Sequence, residues 1–408
     1  MLQRFIFIIT TIIVWHLCIF TTLAAEKKIE DLDKFPPNPL EITINDPILP
    51  NLPNKRELTA TELQKLRTDL DGLNQEAQMT MQREDKKKAF EIWNRELRLR
   101  RFLGTLSEVE ALSRVGEIAW NQNEREEVRY ISKRLQVIQS EMEKQKNTDL
   151  QLWKSLGTAY QKIRIPKLGV LVYEQILILV KAQKDVSMEI ETLKNIGELH
   201  LSWFDYSQAA NTYQKLLNLA INQGDKNNEL EYLEQLIYIY AQAKQPQAAI
   251  DILNQLVQIY TNQQNLNQIP ALKLAIATNY ESLAKENTNL KQQAFDNYQE
   301  AYTTAWQLEQ YARAGEALEK LIAFYRSEKQ IDAALQTGKI LIETQTLANN
   351  FYGLMLAYDE IGNLYLERQE YAQALTAFEK GLAMAKQLKY QEAYFTQQIE
   401  KLKTEQKM

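Results

Sequence analysis

The sequence has very little cysteine, histidine and glycine. Its 408 residues include 1 cysteine, 2 histidines and 12 glycines. Cys18 and His16 both lie in the apolar N-terminal segment, so His200 is the one histidine in the rest of the chain. This scarcity argues against a transition-metal site built from Cys and His ligands. The glycines are isolated from one another, which argues against a glycine-rich phosphate-binding loop.

Proline is also scarce outside one short stretch. Six of the 9 prolines lie between Pro36 and Pro53. Elsewhere the chain is rich in Leu, Ala, Gln, Glu and Lys, which predicts helix throughout. Residues 26–56 carry no helical period, and we interpret them as a Pro-rich linker that forms an extended tether.

The N-terminus has the pattern of a targeting segment. Arg4 precedes the apolar run of residues 5–23, and small residues follow as far as Ala25. This pattern predicts a signal peptide over 1–25 and export across the cytoplasmic membrane, into the periplasm or an equivalent lumen. The apolar run is long, so an uncleaved membrane anchor over 5–23 is the alternative. The net charge of −5 gives no general attraction to nucleic acid.

The stretch WKSLGTAY, from Trp153 to Tyr160, is one copy of an internal repeat. Stepping forward by 40 residues from Gly157 gives Gly197, Ile237 and Ala277, then 45 residues give Ile322 and 40 more give Gly362. Leu or Ile precedes each of these anchor residues, and Tyr follows three positions later except at His200. Such self-similarity at a fixed period predicts a repeat architecture.

A second small residue recurs 12 positions after each anchor, as at Gly169 and Ala209, and five positions later than that in the fourth copy. We interpret each copy as two antiparallel helices. The small residues let the helices approach, and large aromatic side chains fill the space toward the next pair. Pro166 and Pro246 stand where the second helix should begin, a position that favours proline.

Trp153, Leu156, Gly157 and Tyr160 match the W-x2-L-G-x2-Y pattern of the tetratricopeptide (TPR) family, which the chain resembles over about 150–390. The resemblance implies an all-α, right-handed α-solenoid of stacked antiparallel helix hairpins. The period here is longer than the family's usual length of about 34 residues. We interpret the extra residues as a second helix that runs about two turns longer. The expected packing residues are Trp153, Leu156, Gly157, Tyr160, Gly197, Ala209, Ala249, Ala294, Ala334, Gly362, Ala374 and Phe378.

The repeat pattern divides the rest of the chain. We predict two degenerate helical hairpins over 57–145, six TPR-like repeats over 146–390, and a C-terminal capping helix over 391–408. Thr59 with Glu62 and Ser107 with Glu110 have the spacing of capping boxes at helix starts.

The stretch from Arg83 to Arg101 carries eight basic residues with acids between them. Contact with anionic lipid or with an acidic partner is one interpretation. A solvated helix face is the other, and the interleaved acids favour it.

The family resemblance implies a concave groove lined by the first helix of each repeat. On its lining positions, the candidate peptide-groove residues are Lys154, Thr158, Lys194, Asn195, Tyr238 and Asn363. Some family members grip the C-terminal carboxylate of a peptide there. Here Thr158 replaces the expected Asn, and Glu231 and Gln235 replace expected cations. A carboxylate-terminated ligand is therefore disfavoured.

The sequence as a whole predicts a non-enzymatic scaffold or assembly factor of the bacterial cell envelope that binds a protein or an extended peptide. No catalytic residue, metal site or cofactor is predicted, and His200 is expected to pack in the core. Two alternatives stay open: a self-associating structural protein, and a peptide-sensing regulator that compacts on binding. The partner and the oligomeric state are left open.

Overall fold

The computed structural model describes residues 38–42, 46–49 and 56–405. The predicted signal peptide or anchor lies outside these residues. Within them, no helix combines the length and the apolar character that a membrane crossing needs. The chain divides into two compact units, Met1–Arg164 and Ile165–Met408. Their boundary falls inside the first of the six predicted repeats.

Unit 1 is built from helices that pack in pairs. Helix α1 packs against α2, and α3 packs against both α4 and α5. A short 3-10 turn, Arg101–Leu103, joins α2 to α3. The helices are α1 (Ala60–Gln82), α2 (Lys86–Arg100), α3 (Thr105–Asn121), α4 (Arg125–Lys144) and α5 (Leu150–Lys162).

Unit 2 is a stack of helices in which each packs against the next along the chain. Its helices are α6 (Pro166–Gln183), α7 (Val186–Ser202), α8 (Tyr206–Gln223), α9 (Lys226–Gln242), α10 (Pro246–Asn262), α11 (Ile269–Ala284), α12 (Lys291–Gln307), α13 (Tyr311–Ser327), α14 (Ile331–Leu347), α15 (Phe351–Glu367), α16 (Tyr371–Leu388) and α17 (Glu392–Glu405). Every regular element in the described ranges is a helix, so the predicted all-α fold of stacked hairpins is confirmed. The extra residues of the long period are not confined to the second helix, because α7 and α8 span 17 and 18 residues.

Several helix starts follow the predicted signals. Thr59 and Glu62 form the expected capping box at the start of α1. Helices α6 and α10 begin at Pro166 and Pro246. The capping box predicted at Ser107 is wrong, because α3 already begins at Thr105. Gly104 precedes that helix with a φ of 97°, a conformation that lets the chain turn directly from the 3-10 segment into α3.

Most connections between helices are only a few residues long and contain one residue in the left-handed region. The amide of Asp205 donates to the carbonyl of His200 at 2.9 Å across one such turn. This bond satisfies an otherwise unpaired carbonyl at the helix end. Glycine is the usual residue at such a position, yet Gly224 is the one glycine that occupies a short turn of this kind in the described chain. Elsewhere long polar residues such as Lys244 and Lys329 adopt a φ above 50°.

The basic residues in the second half of the stretch from Arg83 to Arg101 make contacts inside unit 1, so the expectation of a solvated face is wrong for this half. Arg95 makes two hydrogen bonds of 2.7 Å to the Asp46 carboxylate. Arg98 donates to the Pro39 carbonyl at 2.7 Å, and Arg101 donates to the Leu40 carbonyl at 2.6 Å. The described parts of the Pro-rich segment therefore pack against α2 instead of forming a free tether, and Leu40 is 1% exposed.

The core of unit 1 also contains buried ion pairs. Glu96 is 0% exposed and accepts hydrogen bonds from Arg100 and Arg114 at 2.9 and 2.7 Å. Glu108 is 3% exposed and accepts from Arg134 and Arg101. Burying a carboxylate is tolerated when cations and hydrogen bonds compensate for the lost water, as they do here.

Unit 2 has a different core, in which small residues admit large aromatic rings. A Cβ added to Gly197 would meet the Tyr213 ring at 2.8 Å, and one added to Gly362 would meet the Phe378 ring at 2.6 Å. The helices of a hairpin therefore approach closely where these glycines face the rings. All 12 predicted packing residues are buried in their own units.

Candidate functional site

The first helices of the five later repeats, α7, α9, α11, α13 and α15, leave one set of side chains at the surface of unit 2. We call this surface the first-helix face. It comprises the residues at positions −6, −3, −2, +1, +4 and +5 relative to Gly197, Ile237, Ala277, Ile322 and Gly362, except Leu274, which is buried.

Four of the six candidate groove residues lie on this face. Lys194 and Asn195 are half-buried on α7, Tyr238 is 51% exposed on α9, and Asn363 is half-buried on α15. The other two, Lys154 and Thr158, lie on α5 in unit 1. Lys154 is half-buried and Thr158 is exposed.

The Lys194 side chain is engaged by its neighbours in α9. Its Nζ lies 3.9 Å from the Glu231 carboxylate and 5.4 Å from the centre of the Tyr232 ring. Both contacts hold the ammonium in place on the surface. Part of its charge is therefore compensated inside the protein, which reduces its capacity to hold an anionic ligand.

The first-helix face contains an open cavity of about 560 Å³ between α13, α14 and α15. Its apolar lining comes from Ile322, Ala323, Leu341, Leu356 and Ala357. Its polar lining comes from Glu319, Arg326, Ser327, Asp359 and Glu360. An apolar surface with a few convergent polar groups is typical of a ligand-binding cleft, and the volume lies within the usual range.

Arg326 neutralises one side of this cavity. Its Nε donates to the Glu367 carboxylate at 2.6 Å, and its Nη1 donates to Glu360 at 3.1 Å. These bonds connect the first helices of two successive repeats, α13 and α15. Glu360 and Glu367 thus have an internal cation.

Glu319 and Asp359 have neutral hydrogen-bond donors instead. Glu319 accepts from the side-chain amide of Gln345 at 3.2 Å, and Asp359 accepts from the Tyr394 hydroxyl at 2.9 Å. Burial raises the pKa of Glu319, the nearby Glu316 raises it further, and the Gln345 bond and Lys320 oppose the shift. Burial also raises the pKa of Asp359, against the Tyr394 bond. Both carboxylates are therefore held in surroundings that disfavour their charge.

The sequence predictions placed most candidate residues in the first three repeats, whereas the cavity lies in the fifth and sixth. Asn363, beside the Tyr394 hydroxyl, is the candidate nearest to it. The prediction missed Glu319, Arg326, Asp359 and Glu360. The same lining positions that selected Lys194 and Tyr238 select all four when they are applied to the anchors Ile322 and Gly362.

Two further features bear on chemistry. His200 is 7% exposed, and burial lowers its pKa, so the imidazole is neutral at neutral pH. Its Nδ1 lies 3.6 Å from the carboxylate of Asp205, the residue that precedes α8. Among the residues that the structure describes, no group of three or more His, Cys, Asp or Glu side chains is arranged to hold a metal ion.

Comparison with solved structures finds chains of similar helical architecture. MamA is 23% identical, with 48% of this chain and 98% of that chain covered and a TM-score of 0.35. Aspartyl phosphate phosphatase F from Bacillus subtilis is 17% identical, with coverages of 72% and 78% and a TM-score of 0.40. The C-terminal part of a TPR repeat-containing protein from Cytophaga hutchinsonii is 14% identical, with coverages of 67% and 95% and a TM-score of 0.37.

No protein-family model matches the sequence, and no curated protein matches it.

Proposed function

We propose that this protein is a non-enzymatic scaffold or assembly factor that binds a protein or an extended peptide through the first-helix face of unit 2. The observation that carries the proposal is the open cavity on that face, which combines an apolar lining with exposed and half-buried charged groups. Side chains of a bound segment would enter the cavity, and the neighbouring first helices would contact the segment on either side of it.

We further propose that the protein works in the bacterial cell envelope. The support is the N-terminal sequence alone, with Arg4, the apolar run of residues 5–23 and the small residues up to Ala25. The segment either is removed during export or stays as a membrane anchor. Mass spectrometry of the N-terminal peptide from envelope fractions distinguishes these two outcomes.

The binding function is testable with a photo-crosslinking amino acid in the full-length chain, expressed in its own cells. It replaces Tyr238, which is 51% exposed on the first-helix face, or Gln255, which is exposed on the second helix α10. We expect the Tyr238 variant to form an adduct with another protein and the Gln255 variant to form none. Adducts of equal yield at both positions, or an adduct with a second copy of this chain alone, would contradict the proposal.

A further inference from the structure

The first-helix face of unit 2 is strongly acidic. Its acidic residues are Glu191, Glu198, Glu231, Glu234, Glu281, Glu316, Glu319, Asp359, Glu360 and Glu367. Its basic residues are Lys194, Lys320 and Arg326. Ten acids against three bases give this face a net charge of −7, more negative than the −5 of the whole chain. The face therefore attracts cationic partners and repels anionic ones.

Two of the three bases on the face are already paired within it. Lys194 lies against Glu231, and Arg326 bridges Glu360 and Glu367. The face therefore has more carboxylates than cations of its own, and a cation of a ligand would meet carboxylates that have no cationic partner on the face. This pattern is opposite to that of a groove that holds a carboxylate, which requires converging cations.

Within the face, the cavity is the place where we expect the attraction to a cation to be strongest. Glu319 and Asp359 stand at its rim, and both are hydrogen-bonded to neutral groups instead of to a guanidinium or ammonium group. Lys320 is exposed and acts on Glu319 through space. Partly desolvated carboxylates gain more from an added cation than fully hydrated ones do, because water screens the interaction less.

The apolar lining between these acids fits a particular kind of cation. Ile322 and Leu341 are buried beneath the cavity, whereas the half-buried Leu356 and the exposed Ala323 offer a surface for methylene groups beside the carboxylates. Lysine and arginine combine an aliphatic stem with a charged head and place the two in different surroundings. A small hydrated cation would leave the apolar lining uncovered.

From these observations we infer that the cavity between α13 and α15 receives the side chain of a lysine or arginine that belongs to a basic, extended segment of a partner protein. The inference rests on the proposed function and adds the chemistry of the partner. The remaining acids of the first-helix face then contact further basic residues of the same segment.

The test uses the full-length protein and three dodecapeptides with blocked termini. One carries lysine at every third position among alanine and serine, and the others carry glutamate or norleucine at the same positions. Binding is measured by fluorescence anisotropy at low ionic strength. We expect the lysine peptide to bind more tightly than each of the others by a factor of about ten or more.

Two variants locate the binding. The double substitution E319Q/D359N removes both rim charges while keeping the side-chain volumes, and we expect it to weaken lysine-peptide binding by a factor of about five or more. The control, E379Q/E400Q, neutralises two exposed acids on α16 and α17, away from the first-helix face. We expect it to change the affinity by less than about twofold, because it removes the same number of negative charges but leaves the cavity intact.

Three results would overturn the inference. They are equal binding of the lysine and norleucine peptides, no binding of the lysine peptide, and equal weakening by the two double variants. These failures are distinguishable from failure of the proposed function, because an adduct at Tyr238 but not at Gln255 would still identify a protein-binding face. In that case the face would bind a partner without a preference for basic residues.

Discussion

The two units use charged side chains in different ways. In unit 1, Glu96 and Glu108 are buried and paired with arginines, and Arg95 binds a segment that precedes the helices. In unit 2, the closely packed positions are apolar or small, as at Gly362 against Phe378, and acidic groups remain on the surface of the first helices. Charge in unit 1 therefore mainly holds the fold together, whereas most acids of the first-helix face are exposed and fewer of them have an internal cation.

The largest expected difference between the units comes from removing one carboxylate charge from each. Glu108→Gln leaves Arg134 and Arg101 without their buried anion, and we expect a loss of about 3 kcal/mol in the stability of unit 1. Glu360→Gln weakens a partly exposed pair with Arg326, and we expect a loss of under about 1 kcal/mol in unit 2. Amide hydrogen exchange measures the opening free energy of each unit separately. Equal losses would remove the distinction between them.

Glycine-to-alanine substitutions should have opposite signs at two places. In Gly362→Ala the new Cβ collides with the Phe378 ring, which is 0% exposed and has no room to move, so we expect unit 2 to lose about 2 kcal/mol. Gly72→Ala in α1 meets no atom within 4 Å, so we expect unit 1 to gain about 0.5 to 1 kcal/mol from helix propensity. Urea unfolding of the two variants, each compared with the wild type, checks both signs. A stabilised Gly362→Ala protein would refute the close packing described for unit 2.

Unit 1 should also lose stability as the pH rises through neutrality. Burial raises the pKa of Glu127 from an ordinary value of 4.5 to about 7, with Glu124 and Glu126 adding to the shift and the Asn94 hydrogen bond opposing it. A raised carboxyl pKa stabilises the fold below pH 4.5, and this stabilisation is lost as the pH rises through about 7. We expect Glu127→Gln to be more stable than the wild type at pH 8 by about 1 to 2 kcal/mol.

The same variant should differ little from the wild type at low pH, where Glu127 is neutral in both the folded and the unfolded chain. The measurement is the hydrogen exchange of α4 amides in both proteins across this pH range. An advantage of Glu127→Gln that does not change with pH would show that burial of the charge is not its cause.

The smallest expected effect concerns a feature that both units share, the left-handed residue between helices. Lys329 in unit 2 and Asn123 in unit 1 have φ angles of 59° and 60°. Lysine is strained there, whereas asparagine adopts this region more readily. We expect Lys329→Gly to raise the melting temperature by an amount equivalent to about 0.5 to 1 kcal/mol, and Asn123→Gly to change it much less. A larger gain at Asn123 would contradict this explanation.

The periodic features of the sequence predicted much of unit 2. The spacing of Gly197, Gly362 and the tyrosines reflects contacts between neighbouring helices, and such contacts impose a regular pattern on a chain. The residues with left-handed backbone in the turns could not be predicted from the sequence. Glycine usually indicates such a position, but here lysine and glutamine occupy many of them. Strong helix formation on both sides of each short turn imposes the conformation there.

Features that depend on distant side chains could not be predicted. The docking of the Pro-rich segment requires Arg95 to reach Asp46, which is 49 residues away in sequence. The charge distribution in the cavity depends on which acids have a cationic partner. Arg326 donates to Glu360 and Glu367, whereas Glu319 and Asp359 accept from the neutral donors Gln345 and Tyr394. The spacing of acids along a helix does not reveal which of them has a cationic partner.

We propose that Glu319 and Asp359, the acids at the cavity rim, serve to bind a partner and do not hold the fold. The most direct test is the opening free energy of α13 and α15 in the E319Q/D359N protein, measured by hydrogen exchange without any ligand. Burial raises the pKa of Asp359, so its charged form opposes folding at neutral pH, and the exposed Glu319 contributes little to stability in either form. We therefore expect a variant as stable as the wild type or more stable. A loss of about 3 kcal/mol, as expected for Glu108→Gln, would contradict it by making these acids structural.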